Sequence, residues 1–393
     1  MLKLKRLKIH ELPRVRSGTE MVFNDGVNVL LGLNGAGKTT LLLLLTYVIS
    51  GRFEQLRDVR FHIEYEMVDG SDTYCVTVRH NPASQPLRSD QAQTYVELKR
   101  FRGERLLDRM TIEAGKLRIT RDGATEEFDR HLDLMYPLAI YLVPLDAPTS
   151  PVRDVQRLDE SIFWLAEVTD QAVFTSIEPY SGALVFASPF EVFIGELLRG
   201  REDKDLHRFT ADDLPFLRAF TETLGLATAT FQFELRGRER VEPHEFWQYK
   251  FADFRFRLEK TDGTRLSHHE LSFGQQRILA FFYYAAMHPD IIIADELTNG
   301  MHHAMIERCL DEIGERQAFM ATQSPLLLDH LPTQIVSAAD ARSIFIICST
   351  LVEDGHEHLS WRNMSDEEAT HFFRDLQVGI SHVNEILRSR GMW

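Results

Sequence analysis

The sequence predicts an α/β fold with a mixed central sheet, an antiparallel β subdomain and a helical insert, and three observations predict it. A glycine-rich loop at 32–39 stands between a short apolar run and an apolar helical run. A series of segments between residues 3 and 120 alternates apolar with polar residues. The apolar run Ile291-Ile292-Ile293-Ala294 ends in two carboxylates, Asp295 and Glu296. Continuous apolar runs suit strands buried on both faces, whereas period-2 alternation suits strands with one face in water.

The elements follow in order. Residues 3–9 alternate apolar and basic, 20–23 form a second short strand, and 27–31 form a third, apolar throughout. Segments 60–67, 74–78, 94–98 and 116–120 alternate in the same way, with Asp69-Gly70 and Asp122-Gly123 as turn signals between them, which predicts an antiparallel subdomain. Residues 138–144 read as a buried central strand, and the proline-rich stretch 144–151 marks a boundary. Phe190, Phe193, Ile194, Leu197 and Leu198, then Leu214, Leu217, Phe220 and Leu224, recur at helical spacing and predict a helical insert. Alternation returns at 231–235 and 254–258, an apolar helix follows at 277–287, and 343–348 is a last strand. Ser365-Asp366-Glu367-Glu368 carries a capping box before a segment with Ile380, Val383, Ile386 and Leu387 on one side. The expected divisions are 1–150, 151–228 for the insert, and 229–393.

The chemistry begins at Gly32-Leu33-Asn34-Gly35-Ala36-Gly37-Lys38-Thr39, which fits G-x-x-x-x-G-K-[ST]. Its glycines allow successive backbone N–H groups, from Asn34 through Thr40, to converge on phosphate oxygens. Lys38 supplies positive charge to the β- and γ-phosphates, and the Thr39 hydroxyl is a ligand for Mg²⁺. The helix opening at Lys38 adds its positive end.

Asp295 ends a buried strand and can complete the Mg²⁺ coordination begun by Thr39, while Glu296 is placed to orient and deprotonate a water. Leu271-Ser272-Phe273-Gly274-Gln275-Gln276 precedes the apolar helix; at a helix N-terminus the Ser272 hydroxyl, the Gly274 amide and Gln275 can meet a phosphate.

In this order the motifs resemble the ABC-type P-loop ATPase heads of the RecF, SMC and related AAA-like ATP-binding families, including compact ATPase subunits of bacterial defence systems. The likeness spans 1–50 and 266–331, with Phe273 in place of the first glycine of L-S-G-G-Q. It implies ATP and Mg²⁺, and a homodimer or higher homo-oligomer in which the signature serine of one subunit completes the ATP site of another. Leu297-Thr298-Asn299-Gly300-Met301-His302 resembles the E-N-G-L-H stretch of this group, at its dimer seam. Ala321-Thr322-Gln323-Ser324-Pro325 resembles A-T-H-S-P, with Gln323 where a histidine contacts the γ-phosphate. Glutamine hydrogen-bonds but carries no charge, which predicts slow turnover. The equivalent of the family's Q-loop glutamine is expected near Asp146.

The formal net charge of −15 excludes a protein that coats nucleic acid indiscriminately. Lys3, Lys5, Arg6, Lys8, Arg14 and Arg16 nonetheless crowd the start, and Lys99, Arg100, Arg102, Arg105, Arg109, Lys116, Arg118 and Arg121 a second stretch. Gathered on one face they would make a DNA-binding surface; as ordinary solvated strand faces they would not. His268-His269-Glu270 and His302-His303 match no zinc spacing, and Trp164, Trp247, Trp361 and Trp393 read as packing residues. Three scattered cysteines, the absence of an apolar signal core or of a bilayer-length apolar run, and 44% hydrophobic content predict a reduced, cytoplasmic, globular protein without membrane contact.

Two functions compete. One is a regulatory ATPase that holds a separate effector protein and releases it on a signal, as in antiphage defence; no room is expected for a fused nuclease. The other is a RecF-like machine acting on duplex DNA in repair or replication. A transporter's nucleotide-binding subunit fits less well, because Lys38 and Ser272 lie further apart than in those subunits.

Overall fold

The computed structural model describes residues 1–82, 93–113, 116–129, 172–176, 194, 197–198, 205–241, 246–322, 325–328, 330–331, 335, 337–378 and 382–392. The chain forms two compact units, the first from residues 1–157, 290–296 and 315–393, the second from 158–289 and 297–314.

The first unit holds two sheets. One is antiparallel and eight-stranded in the order β2-β1-β4-β5-β6-β7-β8-β9, where β1 is Leu2–Glu11, β2 Thr19–Val22, β4 Phe61–Asp69, β5 Asp72–Asn81, β6 Gln93–Arg102, β7 Arg105–Glu113, β8 Lys116–Arg121 and β9 Ala124–Asp129. Alternation is literal in β4, where Phe61, Ile63, Tyr65 and Met67 are buried and the residues between them are not. The other sheet runs β15-β16-β3-β17-β18, with β3 Val27–Leu31, β15 Ile291–Asp295, β16 Gln317–Ala321, β17 Phe345–Glu353 and β18 His356–Asn363. The first four of these are parallel to one another and β18 pairs antiparallel with β17. β3 and β16 are buried at every position, as expected of central parallel strands.

Helix α1 (Lys38–Ser50) packs on β15 and β16, and one core joins it to both sheets, from Leu4 and Ile63 to Leu45, Phe319 and Trp361. Two side-chain amides stitch the sheets where the ladders stop. Gln317, fully buried, accepts from the Leu4 N–H and donates to the Leu4 and Asn24 carbonyls, each at 2.8 Å. Asn363 accepts from the Val22 N–H and donates to the Val22 carbonyl, also at 2.8 Å, and so pairs an edge backbone that would otherwise face water.

The second unit carries the sheet β10-β13-β12-β11, with β14 on β13; the strands are β10 Ala172–Ser176, β11 Leu206–Thr210, β12 Leu226–Val241, β13 Phe246–Lys260 and β14 Arg265–Ser267. Phe231, Phe233, Phe251, Phe254 and Phe256 build its buried face. Helices α2 (Pro215–Leu224), α3 (Phe273–Met287) and α4 (His303–Ile313) complete the described part. α2 opens with Pro215 and stops at Gly225, whose φ of 62° suits a left-handed cap.

Within 151–228, expected as a helical insert, the described residues include the strands β10 and β11 as well as α2, and residues 228 and 229 both lie in β12. Leu206–Thr210 alternates over five residues, too few for its period to stand out beside stronger helical spacing. β7, β9, β18 and α4 also lie where no element was expected. The strand expected at 343–348 begins at Phe345, after helix α5 (Ala338–Ile344). The strand expected at 138–144 and the boundary at 144–151 lie outside the described residues. The capping box at Ser365 forms, with the Ser365 N–H donating to Glu368 at 2.7 Å. It opens helix Asp366–Val378, and Val383, Ile386 and Leu387 are buried in the helix beyond, Val383–Ser389.

Candidate nucleotide site

In the first unit β3 delivers the chain to the glycine loop and α1 carries it away, so strand, loop and helix stand in the required order. Asn34, Gly35, Thr39 and Thr40 are exposed along the loop, while Ala36 and Lys38 are buried. Gly37 has φ 81°, and a Cβ there would lie 2.8 Å from Leu359 and 3.2 Å from the Trp361 indole nitrogen on β18, so only glycine fits.

Lys38 is 7% exposed; its ammonium donates to the carbonyls of Gly32 at 2.8 Å and Leu33 at 3.1 Å, and no carboxylate pairs with it among the described residues. A buried cation held only by carbonyl dipoles lacks a counter-charge, which a phosphate would supply. Burial pushes the nearby Cys348 thiol up to about 12, against the opposing pull of Lys38, so it stays a thiol beneath the loop.

The Thr39 hydroxyl donates to Asp295 Oδ2 at 2.6 Å. Two oxygens so close, one at a helix start and one at the end of β15, are a fitting pair of ligands for Mg²⁺. Glu296 follows with φ 51°, a left-handed conformation rare outside glycine, and its N–H donates to the Ala321 carbonyl at 2.9 Å. That bond carries the β15–β16 pairing one residue further while the backbone turns. Lys38, Thr39, Asp295 and Glu296 thus belong to one unit. Gln323, and the neighbourhood of Asp146, lie outside the described residues; Thr322, just before Gln323, is buried.

Ser272, Gly274 and Gln275 belong to the second unit. Ser272 caps α3: its hydroxyl accepts from the Gln275 N–H at 3.4 Å, and its own N–H donates to the Gln275 side chain at 3.0 Å. A Cβ on Gly274 would stand 2.1 Å from the Gly300 carbonyl oxygen, so the helix start lies directly against the 297–301 turn. Arg277, 8% exposed, donates to the Leu297 carbonyl at 3.0 Å and holds the same turn. Phe273 is 59% exposed beside these residues.

Sequence reasoning did not find the positioning parts: Arg277, Gly300 as the partner of Gly274, or the β18 floor of Leu359 and Trp361. A lone arginine in an apolar helix was a signal for the first; nothing local marked the others.

Every base of the second basic stretch has an acidic partner, three of the acids being shared. Lys99 and Arg109 pair with Glu97, Arg100 and Arg121 with Asp108, Arg102 with Asp72, Arg105 with Asp122, and Lys116 and Arg118 with Glu127. Lys5 pairs with Asp25, Arg6 and Lys8 with Glu20, and Arg16 with Glu353.

These features define a P-loop ATPase of mixed α/β fold. Residues 27–329 match the family described as AAA domain, putative AbiEii toxin, Type IV TA system, and the chain belongs to it. It is similar to the DNA double-strand break repair Rad50 ATPase of Methanopyrus kandleri, 49% identical over 49 residues, which cover 12% of this chain and 6% of that protein. Among solved structures it is similar to the SMC head domain from Thermotoga maritima, at 11% identity and a TM-score of 0.40, covering 92% of this chain and 99% of that one. It is likewise similar to the Smc head domain with an extended coiled coil bound to the C-terminal domain of ScpA, derived from Pyrococcus furiosus, at 11% identity and a TM-score of 0.39, covering 96% and 100%. Among the described residues no helix is long and apolar enough to cross a membrane.

Proposed function

We propose that this chain binds and hydrolyses Mg²⁺–ATP, dimerises on ATP, and serves as a cytoplasmic regulatory subunit that holds or triggers a separate effector protein, in antiphage defence. The observation that carries the nucleotide reading is the buried Lys38 ammonium, bonded to loop carbonyls beside the Thr39–Asp295 pair. In the proposed site the Asn34–Thr40 backbone cradles the phosphates and Lys38 neutralises them. Thr39 and Asp295 would hold Mg²⁺, which when bound supplies charge neutralisation at the β- and γ-oxygens. Glu296 orients the attacking water and takes its proton, and Gln323 serves as a neutral γ-phosphate contact.

Ser272, Gly274 and Gln275 are proposed to complete the site of a second copy, as the family resemblance implies. The exposed ring of Phe273 at that helix start favours a surface that a second copy covers.

The second reading, a DNA-linked machine, is supported by the short match to the Rad50 ATPase. The regulator is preferred because every base of the 99–121 stretch has an acidic partner and the chain as a whole carries a formal net charge of −15, which disfavours a phosphate-binding surface. Turnover of the purified protein is measured with and without duplex DNA at one moderate salt concentration, with Lys38→Ala as the blank. Slow turnover indifferent to DNA is expected; several-fold stimulation would transfer the assignment to the DNA machine.

A further inference from the structure

We propose that His10, His62 and Glu64 form a binding site for a transition-metal dication of the zinc class on the face of the eight-stranded sheet that points away from its core. His10 lies on β1, His62 and Glu64 on β4, and the two strands are antiparallel neighbours with Ile9 opposite Ile63 and Lys8 opposite Glu64. The register slips between Ile9 and Glu11, so that His10 is the extra residue of a bulge. Bulges turn a side chain out of the regular ladder, and this one brings the His10 ring over that of His62, centroids 4.2 Å apart and planes 19° from parallel. His10 Nε2 stands 3.1 Å from Glu64 Oε2, and His62 Nε2 stands 3.8 Å from Glu64 Oε1.

One donor atom from each residue can be chosen so that all lie within 4.8 Å of one another. A tetrahedral zinc ion, with bonds of about 2.0–2.1 Å, needs its donors about 3.3 Å apart. The three side chains are 29%, 29% and 39% exposed, so small rotations can draw the rings out of their stack and close that gap, leaving water for the fourth position.

The charges around the trio favour this use of it. The face is rich in bases, yet Arg6 and Lys8 pair with Glu20, Arg60 pairs with Glu11 at 3.0 Å, and the Arg79 guanidinium sits 4.3 Å over the Tyr95 ring. Among the described residues the ion-pair partners of Glu64 are the two imidazoles alone. Two imidazoles and one carboxylate suit zinc and its neighbours, while Mg²⁺ prefers an all-oxygen shell. Bound there, the ion would clamp β1 to β4 at the bulge; the claim is of binding, not of catalysis.

The test is calorimetric titration of the full chain with Zn²⁺ in the presence of millimolar Mg²⁺, repeated on His62→Ala, His10→Ala and Glu64→Gln. Thermal melting is followed with and without zinc. The expected result is one site per chain in the micromolar range or tighter, weakened about a hundredfold by either alanine and about tenfold by Glu64→Gln. Zinc should raise the melting temperature of the parent, less so that of Glu64→Gln, and least those of the two alanine variants. Since all three side chains lie off the core, the metal-free variants should melt as the parent does, and Co²⁺ absorption bands that vanish in His62→Ala provide a second readout. Zinc binding of equal affinity in parent and variants, or none in the parent, would overturn the site.

Discussion

Thr39 Oγ1 donates to Asp295 Oδ2 over 2.6 Å, although 256 positions separate the two in the chain. The contact joins the first turn of α1 to the end of β15, and both oxygens are the kind that Mg²⁺ takes. Asp295→Asn keeps the shape and a hydrogen-bonding oxygen but removes the charge. Mg²⁺-dependent ATP turnover should fall by about 10²- to 10³-fold with the fold intact by circular dichroism. Turnover within a few-fold of the parent would show that Asp295 does not serve the metal.

Glu296 combines a proposed catalytic role with a positive φ. A non-glycine residue in the left-handed region costs about 1 kcal/mol or more, and strain of this kind collects at functional sites. Glu296→Gly should therefore abolish turnover yet leave stability unchanged or raised by up to about 1 kcal/mol in chemical denaturation, since the N–H to Ala321 bond persists. Clear destabilisation would mean that the side chain, rather than the backbone turn, is what the fold requires. Glu296→Gln should instead retain bound ATP and run as a dimer in light scattering; a monomer under saturating ATP would contradict the dimer reading.

Gly274 is forced by the Gly300 carbonyl, which a Cβ would approach to 2.1 Å. Because the obstacle is backbone, Gly274→Ala must push the 297–301 turn away from the α3 start, at a cost of about 1–3 kcal/mol. A shift of the urea midpoint reads this directly, and an unchanged midpoint would show that the turn yields freely.

Two buried histidines make the second unit acid-sensitive. Burial lowers His268 and His288 to about 4 from the usual 6.5, and His288 Nδ1–H donates to the Tyr284 carbonyl at 2.9 Å. Between these values the unfolded chain holds protons that the folded chain does not. Stability therefore rises with pH across this window and is lost as pH falls from about 6.5 towards 4. Denaturation midpoints at pH 7 and pH 5 should differ, and His288→Gln should reduce the slope by about one proton. An identical slope in the variant would remove His288 from the effect.

The candidate site was legible in the sequence because each of its motifs is local: Gly32 to Thr39, Ser272 to Gln275 and Asp295-Glu296 are each read from a short stretch that needs no tertiary information. β3, α1 and α3 were legible for the same reason, being long or flanked by glycine or serine signals. What escaped depends on distant partners. Nothing near Trp361 announces that it floors the loop at Gly37, and nothing in Arg118 or Lys116 announces that both meet Glu127 across a strand pair. The basic run read as a candidate DNA surface only because linear spacing hides cross-strand acids. β11 escaped because five residues of alternation are too few to separate a strand from a loop, and β9, Ala124-Thr125-Glu126-Glu127-Phe128-Asp129, because it carries no apolar period at all.

The central claim is that the buried Lys38 ammonium awaits a nucleotide phosphate. Its most direct test is calorimetric titration of Mg²⁺–ATP into the full chain and into Lys38→Ala. Binding by the parent, weakened about a hundredfold or more in the variant while both melt as folded proteins, is the predicted result. Equal affinity in the two proteins, or none in the parent, would contradict the account.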